Sequence, residues 1–198
     1  MKLATAVLAF AIAAASPAFA QSSDASTAEG GQFQVDKTHA KIIFSYNHFG
    51  FSTSYGLFSD FDATLAFDPK SPTKSALAVT INMDGIITNV PKFDTHLKSP
   101  DLFDIAKYPT ASFKSTAIEV TGPTTGKITG DLTLHGVTKP VVLDATFNAA
   151  GIHPMNKKYI VGFNATGKVK RSEFGLGYAL PVVGDDVTLT ISTEFVRQ

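Results

Sequence analysis

Cysteine is absent from this 198-residue chain. Disulfides and thiol catalysis are therefore excluded, no thiol is present to carry a lipid anchor, and stability has to come from a hydrophobic core. A surplus of charge is missing too: 17 basic side chains balance 17 acidic ones and no basic block stands out. Nucleic acid and anionic membrane surfaces are accordingly poor candidate partners. Beyond residue 20 no run approaches the roughly 20 apolar residues of a spanning helix. The chain lacks G-x-S-x-G, a Walker loop and H-E-x-x-H, and its five histidines do not pair at metal-ligand intervals, so neither a catalytic group nor a metal site is expected.

What is present begins with a leader. Lys2, the apolar run from Leu3 to Ala15 and the small-x-small triplet Ala18-Phe19-Ala20 read as a secretory signal peptide over residues 1–20. Without it the chain keeps 178 residues, and since Lys2 is the leader's one charged side chain, 16 basic against 17 acidic remain, a formal charge of −1. An exported chain without disulfides points to a bacterial periplasm. That length suffices for one domain burying roughly 70% of its unfolded surface. Residues 21–31, rich in Ser, Ala, Thr and Gly without apolar periodicity, read as a flexible tail, and the domain as residues 32–198.

Strict alternation of apolar and polar residues dominates this domain. Leu57, Phe61, Ala63, Leu65 and Phe67 share one phase, Ile128, Gly130, Leu132 and Leu134 another, and Val141, Leu143, Ala145, Phe147 and Ala149 a third. Tyr159 to Val169 and Val187 to Phe195 alternate likewise. Period two means strands with one wet and one dry face. About eight such strands joined by short turns predict an all-β fold, an extended antiparallel eight-stranded barrel of lipocalin-like form, roughly 25 Å tall. Between Thr88 and Tyr108 the alternation stops and Pro91, Pro100 and Pro109 limit any helix to one or two turns, which makes this the short helical cap.

The inward phases mix large rings (Phe44, Tyr46, Phe61, Phe67, Phe113, Phe147, Phe163, Phe195) with small residues (Ala40, Ala63, Gly130, Ala145, Ala165, Gly167). These either interdigitate into a solid core or leave a channel. A second aromatic group lies in or beside loops, with Phe49, Phe51, Phe58, Phe93, Phe103 and Phe174 among its members, and is expected at one mouth. His48 and His96 could hydrogen-bond a ligand's head group there, next to Leu97 in the cap, and Arg171 could anchor one. Asp94, Asp101 and Asp104 are the carboxylates an acid/base mechanism would use, although such residues more often cap a short helix.

Several motifs in order along the chain are similar to the YceI-like lipid/polyisoprenoid-binding family: His39-Ala40-Lys41-Ile42-Ile43-Phe44, His48-Phe49-Gly50, His96-Leu97-Lys98-Ser99, Tyr108-Pro109-Thr110-Ala111-Ser112-Phe113, Gly130-Asp131-Leu132-Thr133-Leu134-His135-Gly136 and Arg171-Ser172-Glu173-Phe174-Gly175. The resemblance implies a barrel whose interior holds an isoprenoid or similar long-chain amphiphile in a non-catalytic periplasmic carrier or storage role. The expectation drawn is a polyisoprenoid or quinone-like lipid as ligand, no cofactor, and a membrane or a membrane enzyme as the candidate for transient contact. The inward rings would then line the tunnel, and the loop aromatics with His48 and His96 would form its mouth. Other classes of function compete: a filled barrel acting as a protein-interaction module, with an exposed apolar patch, or a hydrolase or isomerase turning over a bound lipid on its Asp cluster.

Overall fold

The computed structural model describes residues 21–198, so the leader read over residues 1–20 lies outside the described residues. The alternating stretches form strands arranged as eight staves of a closed antiparallel barrel. Three staves are broken in two. The first consists of β1 (Gly31–Val35) and β2 (Lys41–His48), the second of β3 (Ser52–Phe58) and β4 (Phe61–Phe67), the third of β5 (Ala76–Asn82) and β6 (Ile86–Ile87). The other five are β7 (Thr110–Val120), β8 (Thr125–Leu134), β9 (Val137–Ile152), β10 (Tyr159–Lys170) and β11 (Asp186–Arg197). Each stave pairs with its neighbours in sequence, and β11 returns to β1 with Phe33 opposite Arg197 and Val35 opposite Phe195. Closure pairs the sheet edges that would otherwise invite association.

The three breaks lie side by side. Val35 pairs with Phe195 and Lys41 with Ser192, so the first stave carries extra residues that bulge outward. Beside this bulge the Lys37 ammonium reaches Asp60 and Asp62, Asn82 donates to Asp60 at 2.8 Å, and the Ser59 amide and hydroxyl both donate to the Gly85 carbonyl. Polar side chains and backbone thus satisfy what the interrupted ladder leaves open. The break at Ser59–Asp60 divides a stretch that alternation reads as one strand from Tyr55 to Asp68.

Strand direction gives the barrel two unlike ends. One, the terminal end, carries the turns after β4, β7 and β9 together with residues 21–30 and the C-terminus. The other, the helix end, carries the β2–β3 turn, the segment 88–109 with α1 (Pro91–Lys98), and the loop 171–185. Pro91 opens α1 where its missing amide costs nothing, and Asp94 ties the incoming chain down by accepting from the Thr88 amide at 2.7 Å and hydroxyl at 2.6 Å.

Two expectations are corrected here. Residues 21–31 are not a free tail: Ser22 bridges Ala150 through two backbone hydrogen bonds, residues 25–27 make a 3-10 turn, Ala28 is buried, and the Glu29 amide donates to the Tyr159 hydroxyl. Backbone pairing and one alanine dock the segment, which is why it shows no apolar period. In β9, Ala150 rather than Ala149 is buried, because a register shift opposite Gly162 and Phe163 reverses the phase after Asn148.

Candidate functional site

Direction of a side chain is set by strand parity, but whether its neighbours meet it depends on its size. Within the barrel they do not all meet. Leu77, Val79, Phe163, Leu189 and Ile191 point inward and are still only half-buried, while the fully buried residues fall into two clusters bridged by Leu77, Val79, Leu189 and Ile191. The space between is an apolar cavity of about 130 Å³, counted as room for the centre of a water molecule. No charged side chain lines it, and its polar wall residues are Asn164 and Thr193. A second cavity of about 120 Å³ adjoins it toward the terminal end. Leu65, Ile118, Ile128, Ala145 and Phe163 border both. The Phe163 ring, edge-on to Phe67, Phe147 and Phe195 with centroids 5.5–6.4 Å away, is the aromatic in that shared wall.

The second cavity reaches the surface because one seam of the barrel is short. β5 and β7 pair from Ala78 opposite Lys114 to Asn82 opposite Thr110, and there the ladder stops. The next β5 amide, of Leu77, donates instead to the Ser115 hydroxyl at 2.8 Å, and β7 shifts register between Ser115 and Ala117. Beyond that point β7 pairs with β8 alone, and the turn at Pro69–Ser75, still close to β7, and the strand end at Ile118–Val120 both border the cavity with no ladder between them. Exposed Val120 and Pro123 form its outer lip.

Of the rings assigned to a tunnel wall, Phe61, Phe113, Phe163 and Phe195 line the first cavity and Phe67, Phe147 and Phe163 the second. Phe44 and Tyr46 line neither. The Phe44 ring fills the space over Gly56, Tyr46 stacks on it at 6.5 Å, and burial pushes the Tyr46 hydroxyl pKa up. The wall residues that ring-counting passed over are aliphatic: Leu77, Val79, Leu132, Leu143, Leu189 and Ile191, all legible as inward by alternation. The small residues divide by size. Ala63, Ala145 and Ala165 face the void, whereas Gly130 and Gly167 are covered by Phe113 and Leu143, whose atoms would lie 2.4 Å and 2.6 Å from an added Cβ.

The residues assigned to a mouth do gather at one end, the helix end, but they border neither cavity. Phe58, Leu97 and Phe174 are buried and close that end with Met83 and Ile86. Phe93 and Phe103 are half-buried, His96 packs between Phe93 and Tyr178, and His48, Phe49 and Phe51 face solvent. Arg171 does not offer an anchor. Its guanidinium donates to the carbonyls of Leu176, Tyr178, Val183 and Gly184, so it is committed to folding the loop 171–185, and burial lowers its pKa.

Titratable groups lie away from the first cavity, and Glu119 borders the second. The Asp94 carboxylate is engaged by Thr88. The Asp36 carboxyl is lowered to about 2, chiefly by the Thr38 hydroxyl at 2.6 Å, with His39 and the Thr38 amide adding and burial opposing. Asp36, His39 and Glu194 form the one group of potential ligand atoms, among the described residues, lying within 4.8 Å of one another, and Asp36 and His39 already bond to each other and to Thr38 at the bulge of the first stave.

Residues 33–195 match the YceI-like domain. The chain belongs to the YceI-like family. Protein YceI of Escherichia coli O157:H7 is 42% identical over 176 residues, which is 88% of this chain and 91% of that protein. Among solved structures, BcnA of Burkholderia cenocepacia superposes with a TM-score of 0.74 at 24% identity, over 81% of this chain and 98% of its own. A polyisoprenoid binding domain from Saccharophagus degradans gives 0.66 at 12% identity, over 86% and 100%. These two likenesses are of fold. In YceI-like terms, the closed barrel is the shared element and the cavity is the place where this chain's own side chains decide what fits.

Proposed function

We propose that this YceI-like protein is a non-catalytic periplasmic carrier of a polyisoprenoid or quinone-like long-chain lipid. The observation that carries the reading is the uncharged, almost wholly apolar lining of the inner cavity, which the second, with Glu119 the one charged residue on its wall, extends toward the surface. Such a lining offers nothing to a polar substrate and makes burial of hydrocarbon the source of affinity. A ligand of about 40 heavy atoms at about −0.3 kcal/mol each would gain roughly −12 kcal/mol, nanomolar territory without a charged anchor. The polyisoprenoid binding domain of Saccharophagus degradans, built on the same barrel, supports the choice of lipid class.

Size sets the condition. A dry apolar cavity of about 150 Å³ takes a benzene, so the first cavity alone holds one short branched unit. A long chain threads both cavities when the Phe163 ring swings out of their shared wall and the β5–β7 seam widens. The sealed helix end makes the seam the route in.

Organic extraction of protein purified gently from the periplasm of its own host, followed by mass spectrometry, tests the reading. A stoichiometric prenyl lipid is expected. A clean extract from well-folded protein overturns the carrier reading in favour of a filled barrel.

A further inference from the structure

The charges of the helix end are confined to residues 92–107, 171–173 and 185, and the rest of that end is free of them. Asp, Glu, Lys and Arg make up 17% of the chain, yet residues 42–59, 85–91 and 174–184 contain none of them. The fold brings these three segments together. The Phe49 amide donates to the Val182 carbonyl, the Gly184 amide to the Asn47 carbonyl, and His48 bridges Val183. β3 pairs with β6, and His96 of α1 meets Tyr178 at 5.2 Å.

The uncharged surface is also apolar where a barrel's exterior should be polar. Ile43 is opposite Leu57 and Leu57 opposite Ile87, so the outward faces of β2, β3 and β6 carry one continuous aliphatic row, with Ile43 and Ile87 about two-fifths exposed. Beyond that row projects the β2–β3 turn. Phe49 and Gly50 both occupy the left-handed region, at φ 54° and 75°, a pair of positions that ordinarily takes Asn-Gly. Phenylalanine at the first of them is strained, and the turn holds the Phe51 side chain 92% exposed. Tyr55, Tyr178 and Val182, on the segments that meet at this end, are each more than half exposed as well.

We infer that this end docks on the surface of a lipid bilayer with zwitterionic head groups, Phe49 and Phe51 entering the interfacial layer and the tyrosine hydroxyls staying at head-group level. A convex projection free of formal charge enters that layer without desolvating an ion, and aromatic side chains with one polar tip are the residues that favour it. The inserting turn and the strands that carry it hold no lysine or arginine beyond Lys41 at the far end of β2, and the exposed cations of this end, Lys92 and Lys107, lie on the 88–109 segment instead, so insertion of the two rings does not call for anionic lipid. This goes beyond the carrier reading, and since no side chain of the projecting turn lines the cavities, the two stand or fall separately.

Flotation of the full mature protein with phosphatidylcholine–phosphatidylethanolamine vesicles, at low and high salt, tests the inference. Binding is expected at both, falling at least about tenfold in F51S and further in F49S/F51S, as removal of one buried Phe predicts. M155S, which changes the exposed Met155 in the turn at the terminal end, is expected to bind as the parent does. Absence of flotation, equal loss in M155S, or binding confined to anionic vesicles and abolished by salt would overturn it. So would self-association in light scattering that F51S removes while vesicles recruit nothing, since the patch would then serve a second copy of the chain.

Discussion

The Phe44 ring lies over Gly56, its cross-strand partner: an added Cβ at Gly56 would come within 2.3 Å of the ring's Cζ and within 3 Å of both flanking carbons. The glycine is the site into which a neighbour's ring fits. G56A should therefore force the ring out of place and destabilise the fold by about 1–3 kcal/mol in urea denaturation. G56A/F44L should recover most of that loss. Equal stability of G56A and the parent would show that the ring is free to move.

Ala145 and Ala165 are also cross-strand partners, but nothing fills the space before them. A165L should occupy part of the first cavity without displacing a packed neighbour. The expected result is a melting temperature unchanged or raised, together with lipid content in organic extracts falling to background. Undiminished lipid in folded A165L would place the ligand elsewhere.

Arg171 should matter to the loop and leave the ligand alone. R171A removes donors from four backbone carbonyls, and a loss of about 2 kcal/mol is expected, discounted for the partial exposure of the site. Lysine cannot reproduce a planar fork, so R171K should restore less than half. Hydrogen exchange should quicken across residues 176–184. A head-group anchor would instead show normal exchange and weakened retention of lipid.

The Asp36 carboxyl lies below its ordinary 3.8, at about 2, because hydrogen bonds favour its ionised form in the folded chain. Its contribution is complete above the unfolded value, near pH 4, and is lost as pH falls through about 2. It amounts to about 2 kcal/mol at most. Stability measured between pH 5 and pH 2 should decline less steeply in D36N than in the parent. Parallel curves would remove Asp36 from the account.

Alternation carried the barrel because β4 obeys it without exception, with Phe61, Ala63, Leu65 and Phe67 all buried. It could not carry the bulge at Asn148, which moves Ala150 inward with no change of residue type. Nor could it separate Gly130 from Ala165. Both are small and inward, yet Phe113 covers one and nothing covers the other, a difference that depends on which side chains cross the barrel toward them. Aromatics drew the candidate site toward the helix end for a similar reason: rings serve equally to plug a barrel, as Phe58 and Phe174 do, and to line one, as Phe61 does. The aliphatic wall was present in the pattern but carries no chemical label to mark it as a site.

The seam between β5 and β7 has five paired residues where β10 and β11 have eleven. A cylinder whose wall is stitched so unevenly behaves as a split ring. On the carrier reading proposed above, expansion to admit a chain would concentrate at the gap and leave the opposite wall nearly rigid, with the work of opening confined to a few hydrogen bonds near Leu77 and Ser115. The interior would then yield in one direction only, and its capacity would follow the length of the guest.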